Sequence, residues 1–221
     1  MTDTSEHKLF PAEVLKLDEI TEGIFVLSYK KQHDFLAGQV VAISVDLEDD
    51  PRLYSIASGE KEKEVRILFN VVPYGKLTTQ LANLKCGQKI YISKPFGNYT
   101  GSVEAAYWIA AGTGIAPFAS MFYSGLGNNK TLIHGGRTLN SFYFKNDFSK
   151  YFGENYVRCC SKGKGDGVYE GRLTAYLKSL QNLPLDHKYY LCGSAEMVVE
   201  TRDVLIGKGI AFEQIIAEIY F

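Results

Sequence analysis

Apolar and polar positions change their rhythm once along this chain, near residue 100. Before that point, short runs rich in β-branched and apolar residues are broken by turn chemistry: Phe10–Leu17, Gly23–Tyr29, Gln39–Val45, Pro51–Ser58, Val65–Val72 and Lys89–Ser93. Such spacing predicts an antiparallel barrel or sandwich. One helical interruption, Leu77–Leu84, puts Leu77, Leu81 and Leu84 on a single face. Beyond it, apolar strands at Ala106–Ala110, Thr131–His134, Tyr156–Cys160, Lys188–Cys192 and Gln214–Ile219 alternate with helices at Pro117–Leu126, Ser141–Tyr151, Leu173–Leu180 and Ala195–Gly207. That alternation predicts a five-stranded parallel sheet wound on both faces. Gly97, Asn98, Gly101 and Ser102 cluster where the rhythm changes. The expected organisation is therefore two domains, 1–100 and 101–221.

Bulk properties narrow the classes. Lys+Arg 24 against Asp+Glu 25 leaves a formal net charge of -1, so no global field recruits nucleic acid or a membrane surface. Met1–Lys8 is polar, and no stretch approaches the roughly 20 apolar residues of a membrane span. A soluble cytoplasmic protein is expected. Cys86, Cys159, Cys160 and Cys192 have neither a disulfide framework nor the spacing of a zinc or iron-sulfur site, and His7, His33, His134 and His187 show no ligand spacing. No metal is expected.

Two segments carry candidate chemistry. Ala110-Ala-Gly-Thr-Gly-Ile-Ala-Pro-Phe118 follows a strand and precedes a helix that Pro117 can open. Its glycines suit a diphosphate approaching backbone N-H groups, and equally suit a tight bend with no ligand. In Pro51-Arg-Leu-Tyr-Ser-Ile-Ala-Ser58 a cation, a flat ring and a hydroxyl stand within four residues. They fit a phosphate-bearing planar ring system, or an ordinary edge strand with an exposed Arg.

Order and spacing bring these segments into a larger pattern. Arg52-x-Tyr54-Ser55, Pro73-Tyr-Gly-Lys-Leu-Thr78, Lys94-Pro-Phe-Gly97, Gly112-Thr-Gly-Ile-Ala-Pro117, Cys192-Gly-Ser-Ala-Glu-Met197 and Ala217-Glu-Ile-Tyr-Phe221 follow one another in the chain. From about Phe35 to the last residue the sequence resembles the ferredoxin-NADP reductase family, and its ending resembles the bacterial branch. Two positions depart from the usual pattern: Lys94 stands where many members have Gly, and Thr78 where Ser is commoner. Neither removes a needed group.

The resemblance implies a six-stranded FAD-binding barrel followed by an NADP-binding α/β domain. Arg52 would meet the FAD diphosphate, Tyr54 would stack on the isoalloxazine, and Ser55 would hydrogen-bond near flavin N5, with Leu53 between them. Val71 and Val72 would run along the ribityl chain. Gly75, Lys76, Leu77 and Thr78 would cradle the diphosphate, and Tyr220, with Phe221, would cover the other flavin face. Gly112, Thr113 and Gly114 would meet the nicotinamide nucleotide, with Cys192, Gly193 and Glu218 beside the nicotinamide. Ser55, Cys192, Glu218 and Tyr220 would be the catalytic group. Arg137, Ser161, Lys162 and Arg172 would hold the adenosine 2'-phosphate, and no Asp or Glu competes in the runs that follow the second and third parallel strands. The implied activity passes hydride from NADPH to FAD and single electrons to ferredoxin or flavodoxin. A flavin reductase, an electron-transfer subunit and a plain nucleotide-binding module are the alternatives. Cys192 as a small core residue, Glu218 as a solvated carboxylate and a frayed Tyr220-Phe221 end are the bland readings of those positions.

Overall fold

A computed structural model describes residues 8–220. Phe221 lies outside the described residues. By contacts the chain divides into two compact units, one running to Gly101 and taking in Ala119–Gly125, the other made of Ser102–Phe118 and the residues from Leu126 onward.

The first unit is a six-stranded antiparallel sheet. Its strands are β1 (Leu9–Thr21), β2 (Ile24–Lys30), β3 (Val40–Ser44), β4 (Arg52–Ser55), β5 (Glu64–Asn70) and β6 (Lys89–Ser93), in the order β4-β3-β6-β1-β2-β5. β1 is long because it serves two neighbours: Leu9–Glu13 pairs with β6, while Val14–Thr21 pairs with β2. Register shifts after Val14 and Glu19 give the bend that this sharing needs. The two outer strands meet through an Ile56↔Ile67 bridge and an Ala57 N-H donated to the Arg66 carbonyl at 2.7 Å. This contact closes the sheet into a barrel and removes its open edges. Leu27, Val41, Ile43, Ile56, Ile67 and Ile92 fill it, and Leu81 of helix α1 (Lys76–Ala82) joins the same cluster. Ser120 belongs to this unit as well, its hydroxyl donating to the Ser58 carbonyl at 2.8 Å with both residues buried.

The second unit is a parallel sheet of β7 (Ala106–Ala111), β8 (Lys130–Gly136), β9 (Tyr156–Cys160), β10 (Val168–Glu170), β11 (Lys188–Ser194) and β12 (Ile215–Tyr220), ordered β10-β9-β8-β7-β11-β12. It has six strands, where the sequence pattern predicts five. The extra strand β10 holds three residues between Gly167 and Gly171, too short for any periodicity to register. Helices α2 (Ala116–Tyr123), α3 (Lys145–Phe152), α4 (Leu173–Ser179) and α5 (Ala195–Gly207) follow the strands. α5 has the expected bounds. α3 begins four residues late because Phe144 takes a left-handed φ of 58°, which a helix cannot contain.

Both sheet faces are covered. On one, Ile109, Ile133 and Leu191 pack with Leu173 and Leu177 of α4 and Val198 and Leu205 of α5. On the other, Trp108 stacks on Phe118 at 5.6 Å and meets Phe152 edge-on, while His134 lies edge-on to Phe142 at 5.3 Å. His134 is wholly buried, its Nδ1 3.0 Å from the Tyr156 hydroxyl, and its Nε2 makes no hydrogen bond. Burial pulls its pKa down to about 3.

The sign of the resulting pH dependence follows from which state takes up the proton. Below about pH 6.5 the unfolded chain protonates this histidine, whereas the folded one stays neutral until pH falls to about 3. Stability from this group is therefore intact above pH 6.5 and is lost on acidification, at about 1.4 kcal/mol per pH unit across that window. Denaturant unfolding of the wild type and His134→Asn between pH 7 and pH 4.5 should give a shallower acid slope for the variant. Equal slopes would refute the assignment.

Candidate nucleotide and flavin sites

Candidate flavin residues gather around β4 and the start of α1. In β4, Arg52 and Leu53 are exposed, Tyr54 is half-buried and Ser55 is buried. Tyr54 lies opposite Val41 in the sheet and meets Phe69 edge-on at 6.2 Å. Burial pushes its phenol well up, so it stays neutral. The turn before α1 is held by its own hydrogen bonds: Gly75 N-H donates to the Val72 carbonyl at 2.8 Å and Val72 N-H to Thr78 Oγ1 at 3.0 Å. A Cβ on Gly75 would stand 3.0 Å from both Thr78 Oγ1 and the Val72 carbonyl, tighter than nine in ten such contacts. Because Thr78 Oγ1 accepts from Val72, its own hydroxyl proton is left to donate elsewhere. Val71 N-H donates to the Gly23 carbonyl, so neither valine N-H is open to a ligand and only carbonyl lone pairs are. Lys76 Nζ pairs with Asp49 at 2.5 Å, and the carboxylate's hydrogen bond and charge raise its pKa. This pair ties the start of α1 to the loop before β4. Leu77 is half-buried against the barrel core.

Candidate nucleotide residues lie at the carboxyl ends of the parallel strands. The chain runs outward from β7 through β8 and β9 to β10, then returns to the other side of β7 as β11 and β12. The strand order thus reverses between β7 and β11, where open α/β sheets leave a crevice. After β7 the backbone turns at Gly112, with φ at 57°, into the short 3-10 helix Gly112–Ile115. A Cβ on Gly114 would stand 2.3 Å from the Cys192 carbonyl oxygen. Glycine alone lets this turn sit against the end of β11. Thr113 is half-buried in the same turn, and Gly193 is buried.

A cleft of about 420 Å³ opens here, lined among others by Gly112, Arg137, Ser161, Arg172, Glu196 and Glu200. Four separate stretches of chain bring their polar groups to it. The loops after β8 and β9 are stitched together, Ser161 N-H donating to the Gly136 carbonyl at 3.0 Å and Lys162 N-H to the Arg137 carbonyl at 2.9 Å. Arg137 and Lys162 are exposed, and Lys162 does not line the cleft. Arg172 caps the start of α4, and its Nη1 lies 3.6 Å from Glu196 Oε1 and 3.8 Å from Glu200 Oε1. Both acids are missing from the residues singled out in sequence. Glu196 stands inside the quoted Cys192–Met197 motif, and reading the helix at four-residue spacing would have put Glu200 beside it.

The structure brings Cys192, Glu218 and Tyr220 together. β11 and β12 pair in parallel with Cys192 opposite Glu218 and Ser194 opposite Tyr220. Cys192 Sγ donates to Glu218 Oε2 at 3.9 Å, and Tyr220 stands beside the same thiol. Burial first, then the Glu218 charge, raises the Cys192 pKa far above the ordinary thiol value, against a smaller lowering by Tyr220. It is a thiol at neutral pH, a hydrogen-bond donor with no nucleophilic character. Among the described residues no group of three or more His, Cys, Asp or Glu is placed to hold a metal ion, and no helix is long and apolar enough to cross a membrane.

Comparisons with known proteins bear on both units. The family model described as an oxidoreductase FAD-binding domain matches residues 18–100, and that of an oxidoreductase NAD-binding domain matches residues 108–203. Ferredoxin--NADP reductase of Azotobacter vinelandii is 30% identical over 206 residues, covering 80% of this chain and 80% of that protein. One component of the Na(+)-translocating NADH-quinone reductase of Serratia proteamaculans is 28% identical over 204 residues, which cover 79% of this chain and only half, 50%, of that component. A crystal structure of a ferredoxin NADP+ reductase from Neisseria gonorrhoeae with bound FAD and NADP has the same fold, with a TM-score of 0.85 at 21% identity over 98% of this chain and all of that one. A barrel followed by a doubly wound sheet, matched in turn by the FAD-binding and NAD-binding models, is an FAD- and NAD(P)-binding oxidoreductase, and the chain belongs to the ferredoxin-NADP reductase family.

Proposed function

We propose that this protein is a ferredoxin (flavodoxin)-NADP reductase, exchanging hydride between NADPH and FAD and single electrons between FAD and a small redox protein, ferredoxin or flavodoxin. The observation that carries NADPH is the cleft, which draws Arg137, Ser161 and Arg172 from three loops to one place at the switch point of the sheet. A cytoplasmic setting fits this chemistry. The likeness to a component of the Na(+)-translocating NADH-quinone reductase supports a second reading, an electron-transfer subunit of a larger oxidoreductase using NADH.

On the flavin side, Arg52 offers a planar cation to a diphosphate and Tyr54 offers a neutral ring for stacking. With FAD bound, Ser55 would offer its hydroxyl to the flavin N5. Gly75 lets the turn close tightly on Val72 and Thr78, and Thr78 presents the hydroxyl proton that Val72 leaves available. These residues fit FAD. Bound FAD supplies what no side chain here has, acceptance of a hydride and release of its electrons one at a time. On the nucleotide side, Gly112, Thr113 and Gly114 shape the diphosphate loop, and Arg137 and Arg172, with Ser161, meet the 2'-phosphate in the cleft, while Lys162 adds its charge from outside the lining. Cys192, kept protonated, and Glu218 frame the nicotinamide position, while Tyr220, beside Cys192, stands at the end of β12 where the nicotinamide must come. Displacing Tyr220 is then part of productive binding.

Purified protein should be yellow, carry one FAD per chain and release it on boiling. FMN in the extract, or a colourless protein that cannot be reconstituted, would overturn the flavin assignment. Arg137→Ala should cost about 1.5–3 kcal/mol in NADPH binding, the worth of a charge-assisted hydrogen bond, with little change for NADH. Parallel losses for both nucleotides would sink the 2'-phosphate reading. Tyr220→Ala should tighten NADP binding on the order of tenfold, one aromatic contact's worth, in a titration followed by flavin absorbance. An unchanged affinity would mean that Tyr220 does not compete.

A further inference from the structure

Arg172 is already engaged before any nucleotide arrives. Its guanidinium faces Glu196 in the first turn of α5 and Glu200 one turn later, at 3.6 Å and 3.8 Å. The two acids share a helix face, where like charges repel, and Arg172 is the cation that relieves them. All three line the same cleft as Arg137 and Ser161. Their side chains are half to three-quarters exposed, so each ion pair is weak and can be exchanged.

A phosphate reaching Arg172 must take it from these carboxylates and then lie beside two negative charges. A 2'-hydroxyl meets the opposite situation, since it can donate a hydrogen bond to a carboxylate. We infer that Glu196 and Glu200 are specificity-determining residues which hold down the preference for a 2'-phosphorylated nucleotide by competing for Arg172. The inference rests on reading the cleft as the nucleotide site. It makes discrimination between the two nucleotides a balance between cations and acids from different helices, with α4 pulling one way and α5 the other. Removing the acids should widen the preference, and removing Arg172 should collapse it.

The test is calorimetric titration of the purified full chain with adenosine 2',5'-bisphosphate and adenosine 5'-monophosphate. Glu196→Gln and Glu200→Gln are each expected to tighten the bisphosphate by roughly two- to fivefold, the range of exposed ion pairs, and to leave the monophosphate unchanged or weaker. Arg172→Ala is expected to weaken the bisphosphate alone. If Arg172→Ala weakens the bisphosphate while neither glutamine variant tightens it, the inference fails and the 2'-phosphate reading stands. If the glutamine variants tighten both ligands alike, a general charge effect replaces the inference. If Arg172→Ala leaves bisphosphate affinity unchanged, the reading of the cleft falls and the inference with it.

Discussion

The close approach of Gly114 to the Cys192 carbonyl is the constraint on which the nucleotide-binding half depends. No other residue lets the turn after β7 lie against the end of β11, because a single added carbon would stand 2.3 Å from that oxygen. This seating joins the two strands between which the sheet reverses its order. It sets where α2 begins, holds Gly112 at the head of the cleft and fixes the end of β11, from which Cys192 meets Glu218 and Tyr220. The barrel depends on a small contact of its own. Its outer strands are joined by one bridge at Ile56 and Ile67 and a hydrogen bond from Ala57.

Much of this is legible in the sequence because the physics behind it is local. Alternation and apolar runs mark the barrel strands, and the 3.6-residue period marks α5 to its very ends. The start of α3 is not legible: Phe142, Tyr143 and Phe144 continue the apolar pattern, and only the left-handed turn at Phe144 shows that the helix waits until Lys145. β10 escapes for a different reason. It is a strand because β9 pairs with it, through Val168, Tyr169 and Glu170, and pairing partners are not written in a three-residue stretch.

The candidate sites divide along the same line. Cys192, Glu218 and Tyr220 stand out through their motifs and do meet, since parallel register brings residues of neighbouring strands together without any sequence proximity. Glu196 and Glu200 do not stand out, because their helix is far along the sequence from the segments that carry the cations. Their effect on Arg172 arises across a helix-helix gap that only the packing of α4 and α5 creates. Lys76, expected beside a phosphate, is committed to Asp49, another long-range pairing that the local pattern leaves unspoken.

β10 also has a bearing on how this protein behaves in company. A parallel sheet ends in a row of unsatisfied N-H and C=O groups that invites a further strand from another molecule. Here the exposed border beyond β9 is three residues long, flanked by Gly167 and Gly171, and its last residue, Glu170, pairs with Lys164 at 3.2 Å. A border so short and charged offers little template for growth. In a crowded solution this small strand guards its side of the sheet against edge-to-edge aggregation.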